Sequence, residues 1–152
     1  MTISRIAALA FLGAGIALAA DPFVGTWKPN LAKWHDSPDG PSPRKTEVST
    51  WELVGKDTYR VSFLAPDGKV AKRSNGQLAT EDRIFDGKDH DGAVPERIDE
   101  RHLKSTVKGA KGTSLNDFQV SADGKTLTIT RKGTATSTGR PLDGEVWVYD
   151  RQ

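Results

Sequence analysis

Asp21-Pro22-Phe23-Val24-Gly25-Thr26-Trp27 marks the expected start of the folded protein. Ahead of it, Arg5 supplies a positive charge and an apolar run broken only by glycine extends from Ile6 to Ala20. The small residues Ala17, Ala19 and Ala20 then precede the polar Asp21. This is the layout of a secretory signal peptide over residues 1–20. The run is shorter than the ~20 residues a membrane-spanning helix needs. The expectation is an exported protein, periplasmic or fully secreted, with no membrane span once the leader is removed. The 152-residue length leaves one domain over residues 21–152. The chain has no cysteine, so neither a disulfide nor a thiol-linked lipid can help hold it, and stability falls to the core.

Downstream of Trp27 the chain is punctuated by turn chemistry. Asp-Gly pairs stand at Asp39-Gly40, Asp67-Gly68, Asp86-Gly87, Asp91-Gly92, Asp123-Gly124 and Asp143-Gly144, and Asn75-Gly76 joins them. Glycine tolerates positive φ and the Asp side chain stabilises the turn, so such pairs favour tight hairpins. Strand-type alternation lies between them. The expected strands are Val24 to Lys28, Thr46 to Val54, Thr58 to Leu64, a polar Lys69 to Leu78, Glu96 to Ile98, a segment holding Leu103, Ser105 and Val107, Leu115 to Val120, Thr126 to Arg131, and Glu145 to Arg151. Trp51 and Leu53 share one face of their strand; Tyr59, Val61 and Phe63 share one face of the next. Asn30 to Pro43 is rich in Pro, Ser and Asp and reads as a loop with one helical turn at Leu31–Trp34. Thr134, Thr136 and Thr138 read as a solvated edge strand. No segment carries a sustained 3.6-residue apolar period, so a substantial helix is not expected.

Roughly eight to ten short strands joined by tight turns make an all-β, antiparallel up-and-down meander. An open meander leaves two exposed edges, and closure into a barrel removes them. A two-sheet β-sandwich is the alternative. A barrel of ~8 strands has room inside for side chains or for one small ligand.

Gly25-Thr26-Trp27, following a leader, resembles the Gly-x-Trp signature of the lipocalins and their fatty-acid-binding relatives, the calycin group. The resemblance implies that Trp27 plugs one end of the barrel under a basic side chain of the last strand, a cation–π contact that ties the chain ends together. Val148-Tyr149-Asp150-Arg151-Gln152 looks like the closing strand of fatty-acid-binding proteins and offers Arg151; Arg131 is the alternative partner. Gly25, Trp27 and Arg151 would then be structural. With Arg151 inward, Tyr149 and Trp147 also face inward, and Val146 and Val148 face outward and need a cover. Fatty-acid-binding proteins hold a carboxylate with an Arg two residues before the closing Tyr; that position is Trp147 here, so the resemblance does not bring the anion clamp with it. Over its whole mature length the chain also resembles small exported bacterial proteins of no assigned function, through Asp-Pro-Phe-x-Gly-Thr-Trp-Lys, Asn30-Leu31-Ala32-Lys33, Gly40-Pro41-Ser42-Pro43-Arg44-Lys45 and Ser121-Ala122-Asp123-Gly124-Lys125-Thr126.

After leader removal 21 basic side chains face 20 acidic ones, without a basic stripe, which argues against nucleic acid as a partner. Of the three histidines, His35 adjoins Asp36 and His90 lies between Asp89 and Asp91, with His102 elsewhere. Adjacency in a loop is not triad geometry, and no nucleophile elbow, phosphate loop or zinc spacing is present. Asp86-Gly87-Lys88-Asp89-His90-Asp91-Gly92 resembles a calcium loop, but Gly87 stands where an oxygen ligand belongs and a Lys intrudes. No enzyme activity, cofactor or metal is therefore expected. The residues placed to line a cavity are Trp51, Tyr59, Val61, Phe63, Leu127, Ile129, Trp147 and Tyr149, around a small apolar or amphipathic ligand. The same side chains could instead fill the barrel, leaving a structural or protein-interaction module whose surface includes the loop around Trp34 and His35.

Overall fold

Apolar alternation between turn pairs gives nine strands among the described residues: β1 (Gly25–Pro29), β2 (Val48–Gly55), β3 (Thr58–Leu64), β4 (Arg83–Phe85), β5 (Val94–Asp99), β6 (His102–Gly109), β7 (Gly112–Val120), β8 (Thr126–Gly133) and β9 (Glu145–Arg151). The computed structural model describes residues 20–56, 58–65, 83–85 and 94–152. The expected leader up to residue 19, the expected Lys69–Leu78 strand, the Asp86–Gly92 loop and His90 lie outside the described residues. Among those residues, no helix is long and apolar enough to cross a membrane.

The strands form one sheet in the order β4-β3-β2-β1-β9-β8-β7-β6-β5, and every neighbouring pair is antiparallel. A single sheet replaces the two-sheet sandwich considered as an alternative. Among the described residues all ladders join strands adjacent in sequence except β1–β9, which joins the first and last of these strands. The sheet is strongly curled. β2 and β7 stand four places apart, a separation of about 19 Å in a flat sheet, yet the Trp51 and Phe118 rings meet at 5.7 Å. The result is a half-barrel with β4 and β5 as its outer strands and, among the described residues, no ladder between them.

The concave face holds the core. Trp27, Trp51, Tyr59, Val61, Leu103, Phe118, Val120, Leu127, Ile129, Trp147 and Tyr149 form one buried cluster with Phe23 and Trp34. Burying each such side chain stabilises the fold by roughly 1.5–3 kcal/mol relative to leaving it in water. Leu53 shares its parity with Trp51 but is 48 % exposed, because it lies at the hairpin end, where the register shifts between Leu53 and Gly55. The outward Val148 is buried at 6 % exposure. Beside it runs the 30–35 segment, with Asn30 N–H donating to the Val148 carbonyl at 2.8 Å and His35 exchanging two backbone bonds with Val146. That segment turns through Lys33 N–H to Asn30 O and Trp34 N–H to Leu31 O without forming a helix; the helical turn falls later, as a 3-10 turn at Pro43–Thr46. The expected edge strand at Thr134–Thr138 is a loop that folds back on the β6–β7 hairpin. Thr134 Oγ1 accepts from Thr113 N–H, and a Cβ on Gly112 would lie 2.0 Å from that oxygen.

Two side-chain knots complete the curl. Arg151 lies with its guanidinium 4.1 Å from the Trp27 ring centre; its Nε donates to Gly124 O and its Nη1 to Val24 O, both at 2.6 Å, and its Nη2 donates to Pro22 O. Gly25 sits at φ +140°, and a Cβ there would fall 2.5 Å from Arg151 Nη1, so close passage of the guanidinium requires glycine. Arg131, the other basic side chain considered for Trp27, lies instead over Trp147. The second knot is Asp21, whose Oδ2 accepts from Tyr59 Oη at 2.5 Å and from Arg97 Nη2 at 2.8 Å. It ties β3 to β5, strands near opposite ends of the sheet.

Arg151→Met keeps the apolar stem but leaves three carbonyls without their charged donor. A loss of about 2–4 kcal/mol is expected, read as a lower urea midpoint at unchanged m-value; an unaltered midpoint would show that the chain ends are held without this residue.

Candidate functional site

β9 alternation puts Trp147 and Tyr149 on the concave face, two residues apart. The loop after β1 returns to cover them. Trp34 stacks on Trp147 with ring centres 5.5 Å apart and planes 12° from parallel, and meets Tyr149 edge-on at 5.4 Å. Asp36 fixes that loop. Its Oδ1 accepts from the Trp34 indole and from Ser42 N–H, each at 3.1 Å, and its Oδ2 from Lys45 Nζ at 2.6 Å. The Lys45 bond, first among several, holds the Asp36 carboxyl below its usual range against the opposing effect of burial.

Buried charge flanks the aromatic group on two sides. Within the 3-10 turn, capped by Ser42 Oγ, Arg44 donates to Glu47 at 2.7 Å and lies 3.7 Å from the Phe63 ring centre. On the other side Arg131 lies 4.5 Å from the Trp147 ring centre and donates to Glu145 at 2.9 Å, Asn116 at 3.0 Å and Ser114 at 3.4 Å. Glu145 is 0 % exposed and takes a second guanidinium, Arg140, at 3.1 Å. Arg140 also reaches Ser37 Oγ and Gly40 O, linking this network to the covering loop. Burial pushes the Tyr149 phenol up, while the charges of Arg44, Glu47, Arg131 and Glu145 act on it with alternating sign. The hydroxyl therefore stays protonated.

Against this well-paired surround, two buried polar side-chain atoms have, among the described residues, no hydrogen-bond partner: Trp147 Nε1 and Tyr149 Oη. Each such atom costs about 1–3 kcal/mol. The contrast with the other candidate lining residues is sharp. Trp51 Nε1 donates to Ser49 Oγ at 2.9 Å, and Tyr59 Oη donates to Asp21. Their rings pack on each other at 5.6 Å and on Phe23 at 5.8 and 5.9 Å. Trp51, Tyr59, Val61, Leu127, Ile129, Trp147 and Tyr149 thus all lie in one buried cluster, with Phe63 packed at its margin, but only Trp147 and Tyr149 combine burial with unused polar atoms.

Sequence reading missed the charged half of this site. Arg131 and Glu145 had a signal: each shares strand parity with apolar inward residues, Leu127 and Ile129 for one, Trp147 and Tyr149 for the other. Glu47 carries the same signal, since it shares parity with Trp51 in the expected Thr46–Val54 strand; Arg44 and Asp36 lie outside any strand alternation, so no period marks them. His35 is exposed, and Ser37 beside it accepts from Arg140. His102 Nε2 lies 3.0 Å from both Asp117 carboxylate oxygens. Among the described residues no group of three or more side chains could hold a metal ion. An open cleft of about 400 Å³ lies between residues 20–24 and the β7–β8 turn; Asp21 and Arg151 line it, and none of the expected cavity-lining residues does.

Because the Asp36 carboxyl is held low, its stabilising effect is complete above the ordinary carboxylate range, near ~4, and is lost as pH falls through the lowered value. In Asp36→Asn the Trp34 indole N–H is expected to exchange faster by NMR at neutral pH, at about the rate the unmodified protein reaches only in acid; equal protection in both proteins at neutral pH would refute the latch.

No protein-family model, curated protein or solved structure matches the chain.

Proposed function

We propose that this chain is an exported, periplasmic or secreted, lipocalin-like protein of the calycin type, whose sheet closes into a barrel holding one small apolar or amphipathic ligand without catalysis. The observation that carries this reading is the pair of orphaned donors, Trp147 Nε1 and Tyr149 Oη, buried on the concave face beneath Trp34. Folded proteins rarely leave two neighbouring polar side chains buried and unpaired, and a site awaiting a partner explains both. The strong curl, the β1–β9 ladder and the Asp21 knot between β3 and β5 support closure of the barrel. The leader-like residues 1–20 support export.

The ring packing of Phe23, Trp51, Tyr59 and Phe118 favours a second reading for the other end of the interior: a filled barrel that serves as a structural or protein-interaction module of the cell envelope. The two readings separate by mass. Native mass spectrometry of the mature protein, purified from its own host without detergent, is expected to show a reproducible added mass released on denaturation. A bare mass, with no thermal shift across apolar and amphipathic compounds, would reject the carrier in favour of the filled barrel.

A further inference from the structure

The chemistry around Trp147 and Tyr149 narrows the ligand class, an inference that rests on the carrier reading. An indole N–H is a donor only, and a phenol whose oxygen is otherwise unused donates readily, so the pair calls for an acceptor. The charges that act on Tyr149, two guanidiniums and two carboxylates, then decide between a charged and a neutral one. Arg140, the second guanidinium on Glu145, is held by Ser37, Gly40 and that acid and does not bear on the phenol. Arg44 already faces Glu47 at 2.7 Å and Arg131 already faces Glu145 at 2.9 Å, and both carboxylates are buried. A ligand carboxylate entering here would bring a third buried negative charge toward Glu47 and Glu145. Burying a charge is costly unless it gains its own counter-ion, and the guanidiniums that flank Tyr149 are engaged with those acids. A neutral oxygen has no such cost and satisfies both donors, since a carbonyl oxygen carries two lone pairs. The shape of the surface is also on view: Trp34 lies flat on Trp147, 12° from parallel, so this face accepts a planar ring.

We infer that the site takes a planar, neutral carbonyl compound, its ring against Trp147 and its carbonyl oxygen accepting from Trp147 Nε1 and Tyr149 Oη, and discriminates against the corresponding carboxylate. Recognition therefore departs from an anion clamp. Trp147, at the position where fatty-acid-binding proteins hold an Arg, becomes a neutral donor. Trp34 is the residue a ligand displaces.

Three probes with one ring system test this: 2-acetylnaphthalene (neutral carbonyl), 2-naphthoate (carboxylate) and 2-ethylnaphthalene (no acceptor), titrated calorimetrically into the full mature protein. The ketone is expected to bind about tenfold tighter than either of the others, the worth of one to two buried hydrogen bonds. Tyr149→Phe and Trp147→Phe should each bring the ketone down toward 2-ethylnaphthalene. Tyr149→Phe should also raise the melting temperature of the unliganded protein, because it removes an unpaired buried hydroxyl, so lost binding cannot be ascribed to misfolding. Naphthoate binding as tightly as the ketone, or a ketone preference unchanged in both variants, would overturn the inference. If no probe binds, the cargo mass decides: a neutral carbonyl compound upholds the inference, an acid overturns it while leaving the carrier reading intact, and a bare mass overturns both.

Discussion

Arg151 on the Trp27 ring is the contact on which the architecture turns. Without the β1–β9 ladder the chain would be two separate meanders, β1 to β4 and β5 to β9. That ladder is short, pairing Trp27 with Arg151, Lys28 with Asp150 and Pro29 with Tyr149. Arg151 reinforces it with three bonds to the backbone carbonyls of Pro22, Val24 and Gly124, so that one side chain holds the segment before β1, the last strand and the β7–β8 turn together. Gly25 follows from the same contact: any Cβ would occupy the path of the guanidinium. Asp21 performs the complementary task, drawing Tyr59 and Arg97 together where the sheet's ladders run out. Joining distant parts of a β-chain costs loop-closure entropy, and a charge-assisted knot offsets part of it.

The interior sorts into two regions. One is apolar and complete, where Phe23, Trp51, Tyr59 and Phe118 pack ring against ring with their polar tips bonded. The other mixes aromatic surface with the Arg44–Glu47 and Arg131–Glu145 pairs. Buried ion pairs seldom improve stability over apolar packing. They do hold geometry, since removing either partner leaves a buried charge. Here they fix the surroundings of Tyr149 and Trp147, while Asp36 and Arg140 fasten the loop that carries Trp34.

The β-class was readable because its signals are local. Thr58 to Leu64 alternates cleanly and is a strand over those same bounds, and Glu145 to Arg151 is likewise a strand over its expected bounds. Thr134 to Thr138 alternates too, yet tertiary packing wins there, since the loop gains bonds to Thr113 that an edge strand would lack. Leu53 shows the limit of parity, which sets a face but not its depth. The aromatic part of the site was legible, because Trp147 and Tyr149 fall two apart on the last strand. The polar part was not. Strand parity points Glu145 inward, but its burial as an acid depends on Arg131 and Arg140 reaching it from β8 and from the loop before β9, and the covering role of Trp34 depends on a loop path that no period encodes. That Trp147 and Tyr149 are unpaired is a property of their neighbours, invisible in their own identities.

The most direct test is a high-resolution crystal structure of the protein purified from its own host, inspected at Trp147 Nε1 and Tyr149 Oη. The predicted result is an oxygen atom of a bound, non-protein molecule within about 2.7–3.1 Å of both donors, with Trp34 moved from the Trp147 ring. A protein acceptor or an ordered water on each donor, with Trp34 still stacked on Trp147, would contradict it.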